Sequence, residues 1–486
     1  MAVVDTYGYN SGNIPVSVSI ETDKAEFVML YKITISQISA TTEIILEKIR
    51  NELVDKVKLE IGDVTDTKKF DTLKMRFQKT IITLIKKYLP DLSEETLDFF
   101  TTYLMHKSFG LGRIELLMSD TNLEEVVVNN AEEPVWVYHH KHGWLKTNID
   151  LDNEELIKHY STVIARRVGR SITLLSPLLD AHLEGGDRVN ATLQPISTKG
   201  NTITIRKFAA KPITITNFIL NRAISVNAAA LVWLAMEYEM SALVSGGTAS
   251  GKTSFLGALC SFFPPNQRII SVEDTREVQL PKYLHWIPMN TREANVEGKG
   301  GVEMLDLIVN TLRMRPDRIV VGEIRRKKEA ETLFEAMHTG HSVYATVHAN
   351  NAEETINRLT NPPIEIPKSL LPAVSLIVNM YRNRRTGVRR IFQVAEITED
   401  SRANVLLQLD LKQDKLVNAN PSQKLIPDLQ TQTGLTQQEI DKILEEKGTI
   451  LKWLAKNNID SVDGIGKVVA TYYTNKDSLL TYLKNA

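Results

Sequence analysis

At 486 residues the chain is too long for one hydrophobic core and has room for roughly three domains, while 43% apolar and 24% charged residues exclude wholesale disorder. Lys and Arg number 58 against 59 Asp and Glu, a formal charge of -1 that gives no global attraction to nucleic acid. Cys260 is the single cysteine, which excludes an intrachain disulfide framework and a thiolate zinc cluster and fits a reducing compartment.

The N-terminal MAVVDTYGYN lacks a basic stretch followed by an apolar one, and no apolar run approaches the ~20 residues of a spanning helix. Any membrane contact is therefore expected to be peripheral or through a partner. Residues 1 to about 40 alternate apolar and polar, a weak strand signal. TEIILEKIRNELVDKVKLEI (42–61) then places Ile44, Ile45, Ile49, Leu53 and Val57 at helical spacing. A second periodic segment covers 70–88, and a third begins after Ser93, with Glu94 and Glu95 suited to a first helical turn. These predict a small helical bundle over about 42–106.

From 107 to 215 the pattern turns to short strands: EEVVVNN (124–130), VWVYHHKHGWLK (135–146) and ITIRKF (203–208), with helical stretches near 120 and over 153–168. HHKH (139–142) reads as a solvated hairpin turn rather than a metal site. A linker is expected over 216–227. Between 228 and 400 helices alternate with the apolar runs ALVS (242–245), RIISV (268–272), RIVV (318–321), SVYATV (342–347) and SLIVNM (375–380), which predicts a mostly parallel sheet between helices. Helical segments return over the last stretch, 401–486.

GGTASGKT (246–253) carries the strongest chemical signal, because it follows a predicted strand and opens a predicted helix, the context a phosphate loop requires. Backbone N–H groups of Gly246, Gly247, Thr248, Ala249, Ser250 and Gly251 can wrap phosphates, with Ser254 following in the first helical turn. Lys252 is placed to reach the outer phosphates of ATP, and Thr253 a magnesium ion. VEDTRE (272–277) sets Glu273 at a strand end, where a carboxylate can orient water. In IVVGEIR (319–325) the strand ends in Gly322 and Glu323, so that Glu323 can hold magnesium through water or polarise that water. Arg325 is a candidate link to a neighbouring element or subunit. TGHSVYATVHANN (339–351) flanks a strand with His341 and His348, and His348 reads as a γ-phosphate sensor or subunit contact. The basic run RNRRTGVRR (382–390) has no aromatic platform beside it, and so gives little support to single-strand binding.

Taken in order, the phosphate loop, VEDTRE, RPDRIVVGEIR and TGHSVYATVHANN resemble the type II and type IV secretion ATPase superfamily, in particular its archaeal branch, which drives archaellum and type IV pilus assembly. The Gly-Glu of GEIR matches the family form of that strand end. The resemblance implies an α/β fold: a RecA-like P-loop ATPase core (228–400), a preceding N-terminal α/β domain (107–215), an N-terminal extension with the helical bundle (1–106) and a C-terminal helical extension (401–486). It further implies ATP and Mg2+ as cofactors, a homo-hexamer, a polytopic inner-membrane platform protein as partner, pilin subunits met indirectly, no direct nucleic acid, and a cytoplasmic location at the membrane periphery. Arg188 of GGDRVNA and Arg206 of ITIRKF match the arginines that in the family reach nucleotide at a subunit boundary. The four-cysteine zinc motif of the bacterial assembly ATPases is missing.

Overall fold

The computed structural model describes residues 2–35, 38–56, 67–183, 185–208, 211–294 and 298–485. It divides into two compact units, one of residues 1–210 with 295–299 and one of 211–294 with 300–486.

The first unit is built on one nine-stranded sheet. Strands β1 (Ala2–Ser11), β2 (Ile14–Thr22) and β3 (Leu30–Ile35) form an antiparallel meander. In β2 the side chains alternate strictly, with Ile14, Val16, Val18 and Ile20 buried, the pattern of a sheet with one face on a core. β4 (Leu123–Val128), β5 (Trp136–His139), β6 (Gly143–Thr147), β7 (Leu178–His182), β8 (Arg188–Thr192) and β9 (Thr202–Arg206) complete the order β1-β2-β3-β6-β5-β4-β9-β8-β7. The weak N-terminal strands are thus part of the α/β unit's sheet, joined to it by parallel pairing of β3 with β6. That contact spans more than a hundred residues of sequence, beyond the reach of any local pattern. HHKH closes the β5–β6 hairpin, as expected, but only His140 and Lys141 are exposed: His139 ends β5 with its side chain buried.

Three helices, α1 (Ala40–Lys56), α2 (Thr67–Tyr88) and α3 (Glu94–Phe109), pack through Leu46, Ile49, Leu53, Phe77, Ile81 and Leu104 into the expected bundle. Ser93 caps α3 by accepting the Thr96 N–H. Val57 and the rest of the predicted first helix, 58–61, lie outside the described residues. α4 (Ile114–Met118) and α5 (Glu154–Arg167) cover the sheet's buried face.

The second unit has a sheet ordered β12-β11-β13-β14-β10-β15-β16-β17-β18. Its strands are β10 (Ala242–Gly246), β11 (Arg268–Glu273), β12 (His285–Asn290), β13 (Arg318–Val321), β14 (Ser342–Val347), β15 (Leu376–Arg382), β16 (Arg389–Ile397), β17 (Ala403–Asp410) and β18 (Lys415–Asn418). The first six in that order pair in parallel and the last three antiparallel. All five predicted apolar runs are strands; three of them are buried throughout and β11 is buried after Arg268, as parallel strands sandwiched by helices must be. Successive residues serve opposite cores: Val244, Val320 and Tyr344 join one, Leu243, Val321 and Ala345 the other. α6 (Ile215–Leu220), α7 (Val226–Glu237) and α8 (Lys252–Cys260) supply the first core, and α9 (Met304–Thr311), α10 (Lys327–His338) and α11 (Ala352–Thr360) the second.

Two stretches differ from the sequence reading. The segment expected as a linker over 216–227 holds α6 and the start of α7, with Thr214 and Ser225 at their N-caps. Residues 401–418, expected in a helical extension, are instead sheet: β17 and β18 hydrogen-bond onward from β16. Only then come α12 (Leu425–Thr433), α13 (Gln437–Lys456), α14 (Val462–Thr474) and α15 (Lys476–Asn485). α13 packs on α7, where the buried Lys447 ammonium pairs with Glu237 at 2.6 Å over the rings of Trp233 and Tyr472. Among the described residues no helix is long and apolar enough to cross a membrane.

Candidate nucleotide site

In an open parallel sheet the carboxyl ends of the strands face the ligand crevice. Gly246 ends β10, Glu273 ends β11, Gly322 and Glu323 follow β13, and His348 follows β14. The sequence-predicted groups therefore gather on one edge of one unit.

The loop between β10 and α8 needs its glycines. At Gly246, with φ +156°, a Cβ would stand 2.6 Å from the Met380 carbonyl oxygen. Gly251 caps α8 in the left-handed region at φ +94°. Ala249 also takes positive φ, +57°, without that freedom. The Gly247 carbonyl is a focus inside the loop: it accepts the Ser250 hydroxyl at 2.8 Å and the Lys252 ammonium at 3.0 Å. Burial holds the Lys252 pKa below its usual value, and the Glu323 carboxylate opposes that shift.

From Lys252 a chain of polar contacts crosses the strand ends. Its Nζ lies 3.4 Å from His348 Nδ1, and His348 Nε2 lies 3.0 Å from Glu323 Oε1. Ammonium is only a donor and carboxylate only an acceptor, so one neutral tautomer, protonated at Nε2, satisfies both contacts. Burial, followed by the Lys252 charge, lowers the His348 pKa and favours that neutral ring. Glu323 Oε2 accepts from Arg325 Nε at 2.9 Å and Nη2 at 2.7 Å, and Arg325 Nη1 reaches Asp274 Oδ2 at 2.6 Å. Arg325 is thus an internal bridge in this unit, a role its sequence left open.

Glu273 lies apart from that chain in burial. Only 2% of it is exposed, and its Oε1 accepts the N–H groups of Glu277 and Val278 at 2.9 and 3.0 Å. Burial pushes its pKa up to about 7, with those two N–H groups working the other way. Gly322 faces it directly: a Cβ there would touch the Glu273 side chain at 3.4 and 3.6 Å. An aspartate in its place would set a second carboxyl against a buried one, a physical reason for glycine at this strand end.

The residues fit a nucleotide with magnesium. The loop offers a glycine-lined cradle and a helix N-terminus, and Lys252 rests on a carbonyl that an anion can replace. Both Glu323 oxygens are engaged by His348 and Arg325, so Thr253 at the start of α8 is the better-placed first ligand for the ion.

Other sequence candidates lie elsewhere. His341 Nδ1 contacts the Ala336 carbonyl at the end of α10. In the first unit, Arg188 and Arg206 are direct cross-strand partners on β8 and β9 and both are exposed. Arg188 grips Asp180 through two bonds, of 3.1 and 2.6 Å. Sequence reasoning missed Arg389, which donates from Nε to the Ala249 carbonyl of the phosphate loop at 3.1 Å; the basic run was visible, but its neighbour was not.

A family profile described as "Type II/IV secretion system protein" matches residues 110–413. An uncharacterized protein of Methanocaldococcus jannaschii is 38% identical over 349 residues, 70% of this chain and 46% of that relative. The conjugal transfer protein TrbB of Rhizobium radiobacter is 32% identical over 231 residues, covering 46% of this chain and 68% of that one. The solved Legionella pneumophila ATPase DotB aligns at 18% identity over 74% of this chain and 94% of its own, with a TM-score of 0.43. The chain spans about half the length of two Methanocaldococcus jannaschii relatives it matches, 46% of one and 55% of the other.

Proposed function

The chain belongs to the type II/IV secretion system protein family, and from that premise we propose that it is a motor that hydrolyses ATP, with Mg2+, to drive assembly of a type IV pilus-like or archaellum filament. The observation that carries the reading is the line of contacts from Lys252 through His348 to Glu323 at the mouth of the phosphate loop. It joins the group that would hold the outer phosphates to the strand end that would sense their loss.

Bound magnesium would offset phosphate charge and orient the transferring group. Within the chain, Lys252 and the loop N–H groups hold the nucleotide and Glu273, poised near neutrality, takes a proton from the attacking water. Glu323 fixes His348 and Arg325. Arg188 and Arg206 contribute positive charge to nucleotide held by a neighbouring subunit of a homo-hexamer. A polytopic inner-membrane platform protein receives the motion at the cytoplasmic membrane surface, and pilins are moved through it.

A second reading, transport of a secreted or nucleic-acid substrate, draws support from the relative named as a conjugal transfer protein. DNA separates the two: salt-sensitive stimulation of turnover by DNA favours translocation. Loss of surface filaments in a Lys252→Ala strain, with no DNA stimulation, favours the filament motor.

A further inference from the structure

The basic run 382–390 forms the tip of the β15–β16 hairpin, and its two C-terminal arginines have separate partners. Arg390 is anchored away from the loop, with Nε and Nη2 on the Asp414 carboxylate at 2.7 and 2.6 Å and Nη1 on the Asn221 carbonyl at 3.1 Å. Arg389 turns to the phosphate loop: besides its 3.1 Å bond to the Ala249 carbonyl, its Cδ would lie 3.7 Å from a Cβ on Gly251.

The hairpin is built to hold that position. β15 runs parallel to β10 with Met380 in register with Gly246, so the strand that enters the hairpin is hydrogen-bonded to the strand that enters the loop. Asn379 adds a side-chain bond to Ser245 at 2.9 Å. The turn is closed by the Asn383 carboxamide oxygen, which accepts from the N–H groups of Arg385 and Thr386 at 2.9 and 3.2 Å.

Ala249 is the loop residue with the strongest need for such a partner. It holds φ +57°, where an L-residue with a Cβ sits at a disadvantage of about 1–2 kcal/mol. A phosphate-binding loop must also keep carbonyl oxygens from turning toward the anion. A fixed cationic donor on the Ala249 carbonyl serves both needs, because it stabilises the left-handed turn and ties the oxygen to the hairpin.

We propose that Arg389 is a positioning residue of the phosphate loop, which holds the Ala249 peptide in the conformation that receives a nucleoside di- or triphosphate and couples the loop to the basic hairpin. The inference rests on the reading of this loop as a nucleotide site. Its test uses the full chain and ADP. Arg389→Ala is expected to weaken ADP about tenfold, the scale of one charge-assisted hydrogen bond. In the nucleotide-free protein, hydrogen exchange over residues 247–251 rises in the same variant. Adding Ala249→Gly recovers most of the affinity, because glycine takes positive φ freely. Arg390→Ala, which unties the hairpin from Asp414, leaves ADP affinity unchanged and lowers the melting temperature.

Unchanged ADP affinity in Arg389→Ala overturns the proposal. So does a loss that Ala249→Gly leaves unrepaired, since the guanidinium would then act on the ligand directly. Failure of the unaltered chain to bind ADP contradicts the nucleotide reading itself.

Discussion

His348 stands between Lys252 and Glu323, accepting at Nδ1 from the ammonium 3.4 Å away and donating at Nε2 to the carboxylate at 3.0 Å. Only the neutral ring can do both. His348→Ala is expected to lower turnover at saturating ATP by about tenfold or more while ADP affinity changes less than about threefold, the pattern of a residue that orders the site after binding. Steady-state kinetics and equilibrium ADP binding measure the two effects. Equal losses in both would assign His348 to ligand binding alone.

Glu273 titrates near neutrality because it is buried, which links stability to pH. Its folded pKa of about 7 exceeds the ordinary 4.5, so between those values the native state holds more protons than the unfolded one. Stability therefore falls as pH rises through that window. Glu273→Gln should stabilise the chain at pH 8 by up to about 3 kcal/mol and change it little near pH 4.5. The same variant should bind ATP and lose turnover by about a hundredfold. Denaturant melts at the two pH values, with a phosphate-release assay, check both effects.

Gly322 leaves room for a methyl group and no more charge. Gly322→Ala should stay within about 1 kcal/mol of the parent, because its Cβ meets Glu273 at ordinary contact distances. Gly322→Asp places a second carboxyl beside Glu273, and should destabilise the second unit by about 2 kcal/mol or more at pH 8. The penalty shrinks toward pH 5, where Glu273 is protonated, and urea titration at both values follows it.

Lys447 is fully buried against Glu237 and the rings of Trp233 and Tyr472. Lys447→Ala leaves Glu237 without its cation and opens a cavity, so a loss of about 3–5 kcal/mol is expected; Lys447→Met, which fills the space, should lose less. Burial lowers the Lys447 pKa to about 8 against an ordinary 10.5, so the unfolded chain binds more protons between those values. This group's contribution to stability consequently grows as pH rises from 8 toward 10.5, and the slope disappears in Lys447→Met.

The parallel sheet was legible because residues such as Ile319, Val320 and Val321 form unbroken apolar runs beside turn signals, and the phosphate loop because its glycines stand at fixed spacing. β12, with Pro288 inside HWIPMN and half-buried side chains, follows neither an apolar run nor an alternation, since an edge strand satisfies only one neighbour. β17 carries an alternation in ANVLLQLD, which places 403–410 in the sheet rather than among the terminal helices. Strand ends announced Glu273, Glu323 and His348 singly. Their links, Lys252 to His348 and Arg389 to Ala249, join residues 96 and 140 positions apart and exist only in the fold.

Whether the loop at 246–253 powers hydrolysis is read most directly from phosphate release from Mg·ATP by the full chain and by Lys252→Ala. Turnover by the parent chain is expected, with a fall of about a hundredfold or more in the variant and its melting temperature preserved. Equal release by the two proteins, or tight ATP binding by the parent chain without any release, would contradict that role of the loop.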